Sequence, residues 1–142
     1  MASPSDPLIL GFDTSAAHCA AALLCGDRLL DSRAEEMTRG QAERLMPLIE
    51  EMLVQQGVGW PDISRLGVGT GPGNFTGIRI SVAAARGLGL GLGIPVIGIS
   101  TLDAILAGAP APARAAVPAP RQRAYVQNRG EAPALLPAEA AE

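Results

Sequence analysis

A glycine-rich segment, GTGPGNFTGIRIS, occupies residues 69–81 and joins two stretches of different character. The stretch ISRLGVGTG, at its start, has the apolar character of a buried strand, and the stretch FTGIRISVAAARGLGLGLG, at its end, has helical character. Glycines at a strand-to-helix junction allow the backbone to approach a ligand or another chain closely. The junction therefore indicates an α/β fold, in which this loop is either a tight turn without a ligand or a point of close approach.

Two well-known phosphate-binding motifs do not match this loop. The P-loop requires a lysine, which the chain lacks, and the spacing G-x-G-x-x-G does not occur in residues 67–77. Asn74 and Thr76 are the two candidates for the N-cap of the helix that follows. The predicted glycine loop consists of Gly71, Pro72, Gly73, Asn74, Thr76 and Gly77.

The composition limits the kinds of function that the chain can perform. Its 142 residues suffice for one domain with a hydrophobic core, and with 48% hydrophobic but only 3% aromatic residues that core must be aliphatic. The net charge is −3, every basic residue is an arginine, and no basic run occurs. These features argue against nucleic-acid binding by the chain alone and against Schiff-base chemistry, which needs a lysine.

The predicted order of elements is βββαβαβα, which corresponds to a mixed sheet with packed helices. LILGFDTS indicates the first strand, and HCAAALLCGDRLLDSRAEE indicates two more, joined by a hairpin at Gly26-Asp27. GQAERLMPLIEEMLVQQG has helical spacing and ends near Gly57, and we expect Pro47 to kink this helix or to delay its first turn. IPVIGIS indicates a further strand, and TLDAILAGA indicates a third helix.

The composition changes after residue 107. Residues 108–142 contain half of the twelve prolines, which predicts a mostly linker-like and poorly ordered segment. Within this segment only RQRAYVQN has the character of a strand. We therefore predict two units, residues 1–107 and residues 108–142.

The sequence has no signal for export or for membrane insertion. The start, MASPSDPLIL, has no basic region, and no apolar run of the length that a bilayer requires is free of a break. Cys19 and Cys25 belong to one predicted strand and stand about 20 Å apart, too far for a mutual disulfide. We therefore expect a protein of the reducing cytoplasm with no membrane attachment.

Few residues of the sequence are candidates for catalysis or ligand binding. Asp13, Thr14 and Ser15 follow the first strand, where a carboxylate and two hydroxyls can meet a phosphate, although such a cluster more often satisfies the amides of a turn. His18 is the single histidine, which excludes a multi-histidine metal site within one chain. The residues alone therefore predict no self-sufficient catalytic set.

Four motifs together are more informative than any one of them. LGFDTS, AERLMPLIEEML, GVGTGPGNFTGIRIS and GIPVIGISTLDAI occur in the order found in TsaB (YeaZ) proteins, and the resemblance spans about residues 8–106. It implies the fold of the ASKHA superfamily (actin-like ATPases, sugar kinases and Hsp70, RNase H-like), of which residues 1–107 are the first lobe. Residues 108–142 resemble the beginning of the second lobe, so the resemblance implies a truncated second lobe.

The resemblance implies a non-catalytic role. TsaB proteins support the catalytic subunit TsaD, together with TsaE, in making threonylcarbamoyladenosine (t6A) in tRNA, so the chain is expected to meet tRNA only indirectly. First-lobe helices pair with those of the partner, although periodicity does not show which residues face the partner and which face their own sheet. Carried over to this sequence, the partner interface consists of Leu45, Leu48, Ile49, Met52, Ile78, Ala83 and Gly87.

The resemblance also sets expectations for ligands. Gln41-Ala42-Glu43 stands where relatives often have His-Ser-Glu, and the metal-binding histidines of TsaD have no counterpart, so no metal site is expected. An ASKHA cleft binds nucleotide between two lobes, so no tightly bound cofactor is expected and ATP or ADP enters only within the complex. A homodimer is the expected state of the chain alone.

Two alternatives stay open. One is a small ASKHA-type phosphotransferase that binds ATP through Asp13, Thr14 and Ser15. The other is a truncated remnant without function, which the Pro/Ala-rich segment after residue 107 suggests.

Overall fold

The computed structural model describes residues 5–141, which form a five-stranded sheet, three helices and a second, smaller sheet. The strands of the larger sheet are β1 (Leu8–Asp13), β2 (His18–Cys25), β3 (Arg28–Glu36), β4 (Ile63–Gly69) and β5 (Val96–Ile99). The helices are α1 (Gln41–Gln55), α2 (Phe75–Leu92) and α3 (Thr101–Ala107). The predicted order βββαβαβα is confirmed.

The larger sheet is mixed, with the strand order β3-β2-β1-β4-β5. The first three strands form an antiparallel meander, and β1, β4 and β5 run parallel. The predicted hairpin between β2 and β3 is present, and Gly26 takes the positive φ of 59° that its turn requires. Strands β3 and β5 are therefore the two edges of this sheet.

Helices α1 and α2 cover one face of the sheet. Alternate residues of β1, such as Leu10 and Phe12, point into the core formed with these helices, and Leu66 and Val68 of β4 do the same. The core side of α1 consists of large aliphatic residues, whereas that of α2 consists of small ones. The buried residues of α2 are Gly77, Ser81, Ala85 and Gly89.

The boundaries of α1 and α2 follow from local chemistry. Helix α1 begins directly after Gly40, whose φ is 92°, and the predicted stop at Gly57, with φ of 68°, is confirmed. Pro47 lies inside the helix, so the expectation that it delays the first turn is wrong. Asn74 caps α2, as one of the two predicted candidates, because its side chain accepts a hydrogen bond from the Gly77 amide.

Residues 114–137 form three strands rather than the single strand expected from the sequence. These are β6 (Arg114–Ala119), β7 (Arg123–Asn128) and β8 (Ala134–Pro137), in an antiparallel sheet of order β6-β7-β8. Leu102 and Leu106 of α3 pack against Ala115 of β6 and attach this sheet to the rest of the chain.

The missed hairpin has a physical explanation. The turn between β6 and β7 uses Arg121 and Gln122 at φ of 62° and 54°, so the Gly or Asn that normally marks such a turn is absent. Pro118 lies in β6, which is an edge strand and tolerates the missing amide donor.

The boundary between the two predicted units at residue 107 stays a prediction. In the part of the chain that the structure describes, no helix is both long and apolar enough to cross a bilayer.

Candidate functional site

The glycine loop packs against the turn that follows β1. The backbone amide of Asn74 donates a hydrogen bond to the carbonyl of Ser15 over 2.6 Å. The hydroxyl of Thr14 donates to the carbonyl of Gly77 over 2.5 Å. Two hydrogen bonds therefore join the start of α2 to this turn.

Two glycines make this approach possible. A Cβ atom at Gly73 would lie 2.3 Å from the carbonyl oxygen of Ser15, and one at Gly77 would lie 1.9 Å from that of Thr14. Both distances are far below van der Waals contact with a backbone atom, which cannot move aside like a flexible side chain. The loop therefore makes a close approach to a turn of its own chain, and an approach to a ligand or to another chain stays a prediction.

Asp13, Thr14 and Ser15 are occupied by hydrogen bonds within the chain. The carboxylate of Asp13 accepts from the amide of Ser15 at 2.5 Å and from its hydroxyl at 3.0 Å, in an Asx-type turn. The side chains of Thr14 and Ser15 are buried, whereas Asp13 is half-buried. The geometry gives both hydroxyls a structural role, and a phosphate contact of this group stays a prediction in which Asp13 is the accessible member.

A groove of about 480 Å³ lies on the face of the sheet opposite α1 and α2. Its floor is made of small residues, including Gly11, Ala20 and Gly67, and Asp13 also lines it. Thr101 lines the same groove, and its hydroxyl oxygen is buried without a partner among the described residues.

A second groove, of about 590 Å³, lies between the first turns of α1 and α2. Asn74, Thr76 and Gly77 of the predicted glycine loop line it, together with residues 39–43. That range includes Gln41, Ala42 and Glu43. Within residues 5–141, no three histidine, cysteine or acidic side chains group in a way that could hold a metal ion.

The residues of the predicted partner interface differ in their exposure in the structure. Leu45, Leu48, Ile49 and Met52 are only 0 to 2% exposed, because they pack on the chain's own sheet. The prediction that these four residues offer accessible surface to a partner is wrong. Helical spacing identifies an apolar face but does not show what that face covers.

The remaining predicted interface residues lie on α2 and differ from the α1 set. Ala83 and Gly87 are exposed, and Ile78 is half-buried beside Gly71. Nothing among the described residues lies within 4 Å of a Cβ placed at Gly87. On α1 and α2 the exposed large apolar residues that the sequence did not single out are Val54, Phe75 and Leu90, which a helical projection from the known core residues would have found.

A cluster of charges joins α1 to β3. Arg44 forms hydrogen-bonded ion pairs with Glu35 and with Glu51, each at 2.8 Å. Hydrogen bonds from Arg44 lower the pKa of both carboxyl groups. Burial raises the pKa of the Cys19 thiol, so this cysteine is a structural residue rather than a reactive one.

The comparison with solved structures decides the family. YeaZ from Pseudomonas aeruginosa superimposes with a TM-score of 0.79 and 31% sequence identity, over 92% of this chain and 68% of that one. The chain belongs to the TsaB (YeaZ) family. The predicted membership and the actin-like (ASKHA, RNase H-like) α/β fold class are thereby confirmed.

Sequence comparisons agree with the TsaB assignment. The tRNA threonylcarbamoyladenosine biosynthesis protein TsaB of Escherichia coli is 39% identical over 101 residues, which are 71% of this chain and 43% of that protein. The protein of the same name from Buchnera aphidicola is 36% identical over 95 residues, 67% of this chain and 45% of that one. The family model of TsaD, tRNA N6-adenosine threonylcarbamoyltransferase, matches residues 33–131. The matched segments of this TsaB-family chain cover less than half the length of these two curated relatives.

Proposed function

We propose that this chain is a non-catalytic subunit that supports TsaD in threonylcarbamoyl transfer to tRNA adenosine. The observation that carries the proposal is the 39% identity to a protein named for threonylcarbamoyladenosine biosynthesis, over 101 residues. The chemistry of the site agrees with it, because the hydroxyl of Thr14 joins the turn to α2 and the hydroxyl of Ser15 donates to Asp13 within the turn. TsaE, indirect contact with tRNA, ATP or ADP bound only within the complex, and a cytoplasmic location belong to the same proposal.

The outer face of α2 is the proposed contact with TsaD. Ala83 and Gly87 lie on it without large side chains, which allows a partner helix to come close. Phe75 and Leu90 lie on the same helix as exposed apolar residues. Arg79, whose guanidinium lies 5.3 Å from the centre of the Phe75 ring, and Arg86 are exposed on the same helix. The surface therefore combines small and apolar residues with arginine, a residue that is enriched at protein interfaces.

Co-purification with TsaD from the same organism tests the pairing. We expect the wild-type chain to be retained on tagged TsaD, and Ala83→Arg to lose most of that retention, because a long charged side chain would occupy the space needed by the partner helix. Ala107→Arg is the matched control, since Ala107 is also an exposed alanine of a helix but lies on α3. Equal retention of all three proteins would contradict the proposed surface.

A modification assay tests the function itself. TsaD, TsaE and tRNA are supplied with the substrates for t6A formation, with and without the chain, and t6A is measured by mass spectrometry of the nucleosides. We expect t6A to form only when the chain is present. Absence of both binding and t6A formation would refute the proposal and favour the alternative of a remnant without function.

A phosphotransferase is the second candidate, because Asp13 and the unpartnered hydroxyl of Thr101 line the same groove. Titration calorimetry with ATP and magnesium separates the two functions. The subunit proposal predicts no measurable binding to the isolated chain. Tight binding that Asp13→Ala abolishes would instead support the phosphotransferase.

A further inference from the structure

Charge is unevenly distributed along the chain. Residues 104–130 contain four arginines and no acidic residue, whereas the rest of the chain contains the other seven arginines and all fourteen acidic residues. The four arginines belong to the hairpin of β6 and β7 or directly follow it, and they are Arg114, Arg121, Arg123 and Arg129. This hairpin therefore has a positive charge in a chain whose remainder is strongly negative.

Carboxylates do not neutralise these four arginines in the folded chain. All four are exposed, and within residues 5–141 none of them forms an ion pair. Arg114 donates a hydrogen bond to the side-chain oxygen of Asn128 at 2.9 Å, and Arg129 donates to the carbonyl of Ala109 at 2.7 Å. Because these acceptors are neutral, the positive charge stays available to an anionic ligand.

Three acidic residues flank the hairpin. Asp103 and Glu131 accept hydrogen bonds from neutral side chains of β7, at 3.0 and 2.8 Å. Glu139 is exposed and follows Ala138, whose amide donates to the carbonyl of Gln122 in the hairpin turn. Glu139 is therefore the carboxylate that we expect to weaken the binding of an anion at this turn.

The turn of the hairpin has an unfavourable backbone conformation. Arg121 and Gln122 take φ of 62° and 54°, which Asn or Gly would adopt more easily. Residues held in such conformations cluster at functional sites. The side chain of Arg121 forms no hydrogen bond or ion pair with residues 5–141, so folding alone does not account for an arginine at this position.

We propose that the β6–β7 hairpin binds phosphate groups of an RNA backbone. Its two ends lie about 17 Å apart, because each strand has six residues. Arginines at both ends therefore suit a row of phosphates better than a single phosphate. The planar guanidinium group of arginine matches the geometry of phosphate oxygens, and the amides of Gln122 and Asn128 are of a type that also contacts phosphates.

RNA is the occupant that these features favour. The core of a protein interface needs large apolar residues, whereas the exposed residues within 114–129 are alanine, proline, glutamine and arginine. The inference rests on the proposed function, in which the chain acts on tRNA together with TsaD. In that complex the chain meets the reacting adenosine only through TsaD, and the hairpin adds a contact with the tRNA backbone elsewhere. The net charge of −3 makes this contact weak for the isolated chain.

Fluorescence anisotropy of labelled tRNA, titrated with the complex of the chain and TsaD at several salt concentrations, tests the contact. The double variant Arg121→Asn/Arg123→Gln removes two charges, and asparagine suits the turn, so we expect its thermal stability to be maintained. The dissociation constant for tRNA should rise at least about fivefold, and the slope of log K against log salt should become shallower by about 2. Arg28→Gln/Arg65→Gln is the matched control, because it removes two exposed arginines outside the hairpin, and it should leave both quantities unchanged.

The outcomes of this experiment separate the inference from the proposed function. A double variant at residues 121 and 123 that matches the control in affinity and in salt dependence would overturn the inference and leave the proposed function intact. If this variant were retained less on TsaD in the absence of RNA, the hairpin would contact TsaD and the inference would be wrong.

An NMR titration of the isolated chain provides a test that does not depend on TsaD. A short RNA hairpin, added at low salt, should shift the amide resonances of residues 119–124, and Glu139→Gln should increase these shifts because it removes the carboxylate beside the turn. Inorganic phosphate at the same phosphate concentration should cause smaller shifts, because one anion contacts only part of the hairpin. Absence of RNA-induced shifts at these residues, or equal shifts with inorganic phosphate, would overturn the inference whether or not the chain binds TsaD.

Discussion

Helices α1 and α2 lie on the same face of one sheet, yet they pack in opposite ways. Helix α1 contributes large aliphatic side chains, of which Leu48, Ile49 and Met52 are almost fully buried. Helix α2 contributes Gly77, Ser81, Ala85 and Gly89 instead. Burial of large apolar side chains therefore stabilises the packing of α1 on the sheet, whereas α2 packs through close contact between backbones.

This difference explains the unusual composition of α2. Glycine inside a helix costs about 1 kcal/mol relative to alanine. At Gly77 and Gly89 the cost is offset because a Cβ atom would lie 1.9 Å from the Thr14 carbonyl oxygen and 2.3 Å from a methyl group of Val96. Gly87 and Gly91 face open space among the described residues, so packing within the chain does not account for them.

The largest loss of stability is expected for Met52→Asp, a substitution in α1, the helix that packs through large apolar side chains. An unpaired carboxylate in the core should destabilise the fold by about 4 kcal/mol or more. Chemical denaturation measures this change. Val54→Asp is the matched control, because Val54 lies on the exposed side of the same helix and should change stability little. Similar stabilities of the two variants would show that α1 does not pack through Met52.

Gly77→Ala tests α2, the helix whose backbone lies close to the turn after β1. We expect a loss of about 3 kcal/mol in unfolding free energy, because the added methyl group overlaps a backbone oxygen that cannot move without breaking the joint at Thr14. The same denaturation experiment measures it. An alanine tolerated at no cost would mean that α2 does not lie as close to this turn as described here.

Gly87→Ala should have a smaller effect of the opposite sign. Its side chain would enter open space, so the higher helix propensity of alanine should stabilise the chain by about 1 kcal/mol. Gly89→Ala in the same helix should instead be destabilising, because its Cβ meets Val96. Thermal unfolding of both variants measures the difference between the two sides of α2. Equal shifts of the unfolding temperature would contradict this difference.

The smallest effect is expected from the ion pairs between α1 and β3. Since Arg44 lowers the pKa of Glu35 and Glu51 in the folded chain, their contribution to stability is complete above the ordinary carboxyl pKa of about 4.3 and is lost as the pH falls through the folded pKa. The stability difference between the wild-type chain and Arg44→Gln should therefore shrink on acidification from neutral pH. A difference that is independent of pH would exclude these ion pairs as its cause.

Much of the larger sheet could be predicted because its signals are local. The alternation in β2, the hairpin at Gly26 and the cap at Asn74 each depend on a few neighbouring residues. The contact of Gly77 with Thr14 joins residues 63 positions apart, and nothing in either segment alone indicates it. The turn at Arg121 and Gln122 was missed because these residues rarely take a positive φ.

The candidate interface shows a different reason for failure. Helical spacing correctly grouped Leu45, Leu48, Ile49 and Met52 on one face of α1. An apolar face can cover the chain's own sheet or a partner, and the pattern is the same in both cases. Only the position of α1 on the sheet distinguishes these possibilities.

The affinity of the isolated chain for TsaD, measured by titration calorimetry, tests the central proposal most directly. We expect binding in the micromolar range or tighter for the wild-type chain, at least about tenfold weaker binding for Ala83→Arg, and unchanged binding for Ala107→Arg. Absence of heat with the wild-type chain, or equal affinities for all three proteins, would contradict the proposal that the outer face of α2 pairs with TsaD.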